Sequence, residues 1–130
     1  MTSTDAPPCP CGSGDAYSAC CRPLHDQRVQ AATAEQLMRS RYSAYALGRL
    51  DHLFRTWHPR TRPEAVEPSP GLTWTGLTLT HVEDGRPGQE EGVVEFVATY
   101  ETAGGPGALR ERSRFARRAG RWLYLDGQVG

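Results

Sequence analysis

Cysteine is the residue of this chain with the most chemistry in it. Cys9, Cys11, Cys20 and Cys21 are its four cysteines, two close pairs separated by a turn-forming stretch. Thiolates so placed can surround a soft divalent ion, and four sulfurs close a tetrahedron with no position left for water or substrate. The spacing therefore predicts a zinc knuckle holding a structural Zn²⁺, a site closed to Lewis-acid chemistry. Gly12, Ser13 and Gly14 let the backbone curl around the ion and turn N–H groups toward the sulfurs, while Pro10 stiffens the first pair.

Three other readings use the same residues. Two disulfides suit a short exported chain with an even cysteine count. Residues 1–8, however, carry neither the basic start nor the apolar run of an export signal, which predicts a reducing cytoplasm. A redox pair at adjacent Cys20 and Cys21 lacks the Cys-x-x-Cys motif that opens a helix after a strand. His25, four residues beyond Cys21, is a fifth donor able to stand in for one sulfur.

Beyond the knuckle the candidates are spread out. Tyr42, Tyr45, Trp57, His58, Phe96, Arg114, Phe115 and Trp122 are the side chains expected around a pocket, although aromatics at such spacings also serve an ordinary packed core. His58 stands at an expected helix end between Trp57 and Pro59, where carbonyl groups favour imidazolium. Asp51, Glu95, Glu101, Glu111 and Asp126 offer carboxylates, but none has a spacing that marks a general base. With no nucleophile triad, phosphate loop or dinucleotide fingerprint, no catalytic residue is assigned and a non-enzyme is expected. In the strand-like run from Glu111 to Phe115, Glu111, Ser113 and Phe115 share one face and Arg112 and Arg114 the other. A Glu111 turned inward would need a cation, and Arg39 and Arg41 are the candidates. Arg110, Arg112, Arg114, Arg117 and Arg118 form a basic stripe suited to RNA, but Glu90, Glu91, Glu95 and Glu101 on the neighbouring strand can neutralise it.

The elements that must position these groups can be read from periodicity. A chain of 130 residues, 38% apolar and with formal charge +0, suits one core plus a metal-stapled appendage, and no apolar run approaches a membrane span. After a polar connector over residues 22–32, Thr33 with Gln36 makes a capping box. From there Leu37, Met38, Tyr42, Tyr45 and Ala46 form one helical stripe, leaving Arg39 and Arg41 to water or the knuckle, and Gly48 closes the helix. Leu50, Leu53, Phe54 and Trp57 predict a second helix stopped by Pro59. Residues 60–71 read as a loop with one helical turn at 63–66. Period-two patterning then predicts strands over 74–82, 93–102, 109–118 and 121–126, with turns at 83–88, 104–107 and 119–120. The fold class is α+β, helices packed on a curved antiparallel sheet, with a knuckle over residues 1–30 and the larger unit over 31–130.

Cys9-x-Cys11-x-Ser13-Gly14, followed by Cys20-Cys21, resembles the SEC-C type zinc motif best known from the carboxy terminus of the SecA translocation ATPase. The continuation to His25, the run over residues 34–45, Thr56-Trp57-His58-Pro59, Glu111 to Phe115 and Arg121-Trp122-Leu123-Tyr124 resemble the YchJ family of small bacterial proteins. That resemblance implies a SEC-C knuckle joined to a nuclear-transport-factor-2-like, cystatin-like cone, and no established activity. The SEC-C likeness also implies protein contacts. The leading expectation is therefore a cytoplasmic zinc protein acting as an interaction or adaptor module, with a protein partner at the knuckle. The alternatives are a small-molecule binder or ketosteroid-isomerase-like enzyme using the cone and, less favoured by the balanced charge, a nucleic-acid binder. A cone filled by its own side chains favours the adaptor; a hollow one with a polar floor favours the ligand binder.

Overall fold

The computed structural model describes residues 7–130; residues 1–6, most of the stretch without an export signal's features, lie outside it. Thr33 caps the main helix, its Oγ1 accepting the Gln36 N–H at 3.0 Å, while Gln36 Oε1 reaches back to the Ala32 N–H at 2.6 Å. This helix, α2, spans Ala34–Leu47 and ends at Gly48 in the left-handed conformation. It is preceded by a single turn, α1 (Arg22–His25), inside the expected connector. Pro23 in its first turn starts it, and it is too short to show a helical period. α3 (Leu50–Arg55) stops before Trp57. Trp57 instead makes a parallel bridge to Tyr124, flanked by Tyr124 N–H to Thr56 O and His58 N–H to Tyr124 O, both 2.8 Å. The helical turn expected at 63–66 is not formed, in a stretch where Pro63, Pro68 and Pro70 withhold donors.

β1 (Thr73–Asp84), β2 (Glu91–Thr102), β3 (Gly105–Arg118) and β4 (Arg121–Val129) form an antiparallel meander in that order. Register shifts near Trp74, Leu79 and Arg114 mark bulges that bend the sheet around α2. β3 begins at Gly105, earlier than the Gly-Gly-Pro-Gly run suggests. Its partner β4 ends with Val129 opposite Glu111, so Pro106 lies where β3 has β2 on one side only and an open edge on the other.

One buried cluster joins the knuckle to the larger unit. Cys9, Cys11 and Cys21 belong to it together with Ala34, Leu37, Met38, Tyr42, Val94, Phe96, Phe115 and Trp122. The knuckle is thus packed into the core of the larger unit. The turn end of the β1–β2 hairpin is fixed to the start of α2, with the Ala34 N–H on Gly85 O at 2.9 Å. A Cβ on Gly92 would fall 2.6 Å from Gly85 Cα and 3.0 Å from Ala34 Cβ, and the backbone there cannot yield cheaply. Gly92→Ala is therefore expected to cost about 1–3 kcal/mol, read from denaturant unfolding. Unchanged stability would mean that the hairpin can retreat from the helix.

Candidate metal centre and cavity

The knuckle is shaped by its own backbone. Cys9 N–H bonds Asp15 O at 2.9 Å, Gly12 N–H bonds Cys9 O at 3.2 Å, and Gly12 and Gly14 adopt φ of 79° and 92°, closed to most side chains. A 3₁₀ turn at Tyr17–Ala19 then delivers Cys20 and Cys21 to the first pair. All four sulfurs lie within 4.8 Å of one another, with Cys11–Cys20 at 3.7 Å and Cys20–Cys21 at 3.9 Å. Bonds of about 2.3 Å to a tetrahedral ion would put sulfurs about 3.8 Å apart, so the donor set fits such an ion in number, softness and spacing. The cysteines are free thiols, and the disulfide reading does not describe this structure.

Neighbours support the sulfurs. Ser43 of α2 donates to Cys21 Sγ at 3.3 Å and lies 3.4 Å from Cys9 Sγ, and Ser13 Oγ is 3.2 Å from Cys20 Sγ. The hydrogen bond from Cys21 holds Cys11 well below the usual thiol range, at about 4, and correspondingly pushes the Cys21 thiol up; burial raises Cys20 to about 11. Cys11 thus carries charge that protonated neighbours shield, and a bound cation would take over the role of those protons. His25 is not a ligand. Its Nε2–H donates to Ser40 O at 2.8 Å and its Nδ1 accepts from Tyr17 O–H at 2.7 Å, making it a buried strut between knuckle and α2. Arg39 adds a second tie, donating to Cys11 O at 2.8 Å. Nothing in the sequence marks Ser43, a serine three residues after Ser40 on a helix face that also carries Gln36 and Arg39.

On another face of α2 lies a cavity of about 250 Å³ against the concave sheet. Of the side chains expected at a pocket, Tyr42, Tyr45, Trp57, Phe96 and Phe115 line it, joined by Arg41, Trp74, Glu111 and Tyr124. His58, Arg114 and Trp122 do not. His58 Nδ1 accepts the Arg60 N–H at 3.1 Å in the loop beyond α3. Arg114 alternates to the outer face, where it grips Asp126 with bonds of 2.7 and 2.6 Å. Trp122 is buried elsewhere in the core, its indole donating to Ala32 O at 3.3 Å.

The expected ion pair between Glu111 and an α2 arginine is also not formed. Arg39 turns to Glu35 at 3.3 Å. Arg41 is 5% exposed, yet its Nη1 donates to Leu53 O at 2.9 Å and Thr56 Oγ1 at 2.7 Å, and no carboxylate among the described residues lies within 4.0 Å of it. Its guanidinium carbon lies 5.0 Å from the Trp57 ring centre and 4.6 Å from that of Tyr124, a cation between two π faces. Burial pushes its pKa down to about 10, still protonated at neutral pH. Glu111 Oε2 accepts from Ser113 Oγ at 2.6 Å and Tyr124 O–H at 3.2 Å, over a Gly127 whose Cβ would overlap it. The Trp57 indole N–H is buried with no acceptor. On the outer face, Arg112 pairs with its cross-strand neighbour Glu95 at 2.6 Å, so part of the basic stripe is neutralised.

The chain belongs to the YchJ family. Residues 33–127 match the YchJ middle NTF2-like domain and residues 8–23 match the SEC-C motif. UPF0225 proteins of Streptomyces coelicolor and Deinococcus radiodurans are 48% and 49% identical over 122 and 120 residues, covering 94% and 92% of this chain and 95% and 87% of theirs. Among solved structures, the solution structure of a SEC-C motif containing protein from Rhodopseudomonas palustris matches with TM-score 0.82 and 32% identity over 94% of this chain and 98% of its own. A crystal structure of such a protein from Psychrobacter arcticus gives 0.72 and 25% over 98% and 84%. No activity is established for the UPF0225 family.

Proposed function

We propose that this member of the YchJ family binds a small molecule in the cavity between α2 and the sheet, while its knuckle holds one Zn²⁺ as a staple on Cys9, Cys11, Cys20 and Cys21. The observation that carries the ligand reading is a hollow of about 250 Å³ with Arg41 buried in its wall and no carboxylate paired to it. A buried cation with no carboxylate in contact is costly, and a bound anion relieves that cost. Four sulfur donors favour zinc over the hard cations, and four ligands leave it no catalytic position. The metal would supply rigidity; Ser43, Ser13 and Arg39 would orient its ligands.

This ordering differs from the adaptor reading suggested by the SEC-C likeness. The inner side of the knuckle is occupied by its own domain, and a protein partner would have to use the exposed rim at Ser13, Gly14, Ser18 and Ala19. Binding, without a reaction, is the assignment: Glu111 is the carboxylate in the cavity wall and already accepts from Ser113 and Tyr124. No helix among the described residues is long and apolar enough to cross a membrane, and four free thiols suit a reducing compartment such as the cytoplasm.

Two measurements test this reading. X-ray absorption at the zinc edge is expected to show four sulfurs at about 2.3 Å; a shell rich in nitrogen or oxygen would overturn the ligand set. A fragment panel screened by ¹H–¹⁵N NMR on the metal-loaded chain is expected to move the Trp57 indole and Arg41 side-chain resonances. Shifts confined to the knuckle rim with an added protein partner would restore the adaptor reading.

A further inference from the structure

Resting on the ligand-binding reading above, we infer that the cavity is built for a small aromatic carboxylate carrying a hydroxyl or amino group at its far end. Arg41 and Trp57 both line the hollow, and neither has an anionic partner there. Arg41 offers a planar guanidinium of which Nη1 makes the contacts to Leu53 and Thr56, and the Trp57 ring stacked against it holds a buried N–H without an acceptor. A carboxylate is the planar, singly charged acceptor that meets a guanidinium fork and one further donor. A phosphate, with more charge and more oxygens, would want more cations than Arg41 and would be repelled by Glu111.

The rest of the cavity sets the body of the ligand. Tyr42 and Trp74 meet edge to face at 6.0 Å, and Phe115 and Tyr124 at 5.8 Å, leaving aromatic walls that favour a flat apolar ring. The volume of about 250 Å³ exceeds the roughly 150 Å³ that can hold benzene and falls below the ~300 Å³ where drug-sized pockets begin, so one ring or two fused rings fit. Glu111 fixes the direction. Its Oε2 accepts from both Ser113 and Tyr124, so Oε1 is the atom left for a ligand O–H or N–H, and its charge keeps a carboxylate at the Arg41 end.

The metal-replete full chain is titrated with 4-hydroxybenzoate, 4-hydroxybenzamide and benzoate, following the Trp57 indole N–H by NMR and affinity by calorimetry. 4-Hydroxybenzoate is expected to bind about tenfold to a hundredfold more tightly than the uncharged amide, the range for a charge-assisted hydrogen bond, with benzoate intermediate. Arg41→Met, which removes the charge, should erase the preference for the acid, and if that variant does not fold, Trp57→Phe, which keeps the ring and removes the N–H, should narrow it. An amide that binds as well as the acid, with the Trp57 resonance shifted, overturns the carboxylate class and leaves the cavity as a ligand site. No shift at Trp57 with any of the three, or with the wider fragment panel, overturns both.

Discussion

Stripping the metal from the full chain is expected to loosen the main helix together with the knuckle. Read from sequence alone, residues from 33 onward have helices and a sheet enough for an independent core, and chelation should release the amino terminus only. The packing points the other way. Cys9, Cys11 and Cys21 share their buried cluster with Met38, Tyr42, Val94 and Phe96, and Ser43, Ser40 and Arg39 of α2 are tied to Cys21, His25 and Cys11 respectively. Without a cation, four thiols within 4.8 Å of one another must hold their protons or repel, and the face of α2 that rests on them loses its support. Structural zinc contributes roughly 10–16 kcal/mol of apparent binding free energy in isolated knuckles, as large as the ~5–15 kcal/mol that stabilises a whole domain. Hydrogen exchange before and after chelation reads the result. Protection is expected to fall in α2 as well as over residues 9–25, with the β2–β3 pairing, farther from the sulfurs along the chain, opening last. Full protection of α2 after complete metal removal would return the knuckle to the status of a separate appendage. The same coupling ties the two proposed sites together, because α2 also carries Met38, Arg41, Tyr42 and Tyr45 into the cavity wall.

What the sequence makes legible here is local, and what it hides is long-range. The four cysteines and their glycines declare a knuckle because every contact that forms it lies within a few residues. Thr33, Gln36 and Gly48 likewise mark the ends of α2 by short-range hydrogen bonds. The start of β3 is lost because Gly-Gly-Pro-Gly has the chemistry of a turn, and only the position of the end of β4 makes a proline tolerable there. Trp57 sits at helical spacing from Leu53, but the bridge to Tyr124 outweighs that propensity. The cavity fares least well. Charge pairs Arg41 with Glu111 in the sequence, yet Leu53 O and Thr56 hold Nη1 and two aromatic rings flank the guanidinium, from elements that no local pattern connects. His58, next to Trp57 in sequence, misses the hollow because one step along an irregular segment changes the direction of a side chain completely.

His52, a residue without a motif, carries the other large expected effect, a loss of stability in mild acid. It is 2% exposed, and its Nε2–H donates to Ser40 Oγ at 2.9 Å, while Ser40 donates onward to Leu37 O at 2.7 Å. Its Nδ1 is buried with no partner, and the His25 ring centre is 4.7 Å away. A proton on Nδ1 would be a charge with nothing to bond. Burial first, then the neighbouring His25, Arg41 and Arg55, with Asp51 opposing, push the His52 pKa down from 6.5 to about 3. The folded state therefore keeps this imidazole neutral where the unfolded chain would protonate it. Above pH 6.5 both states are neutral and nothing is lost. Below it the unfolded state gains a proton that the folded state refuses, and stability falls by about 1.4 kcal/mol per pH unit. Between pH 6.5 and 4.5 the expected loss is about 2–3 kcal/mol. Metal release from protonating thiolates will steepen the decline, so the comparison is with His52→Leu, in which that contribution is shared and the titration is gone. At neutral pH the variant should be less stable by about 1 kcal/mol, for the bond to Ser40, and the two stability curves should cross as the pH falls. Urea unfolding from pH 7 to 4.5 decides it: parallel curves would mean that His52 accepts its proton in the folded state at little cost.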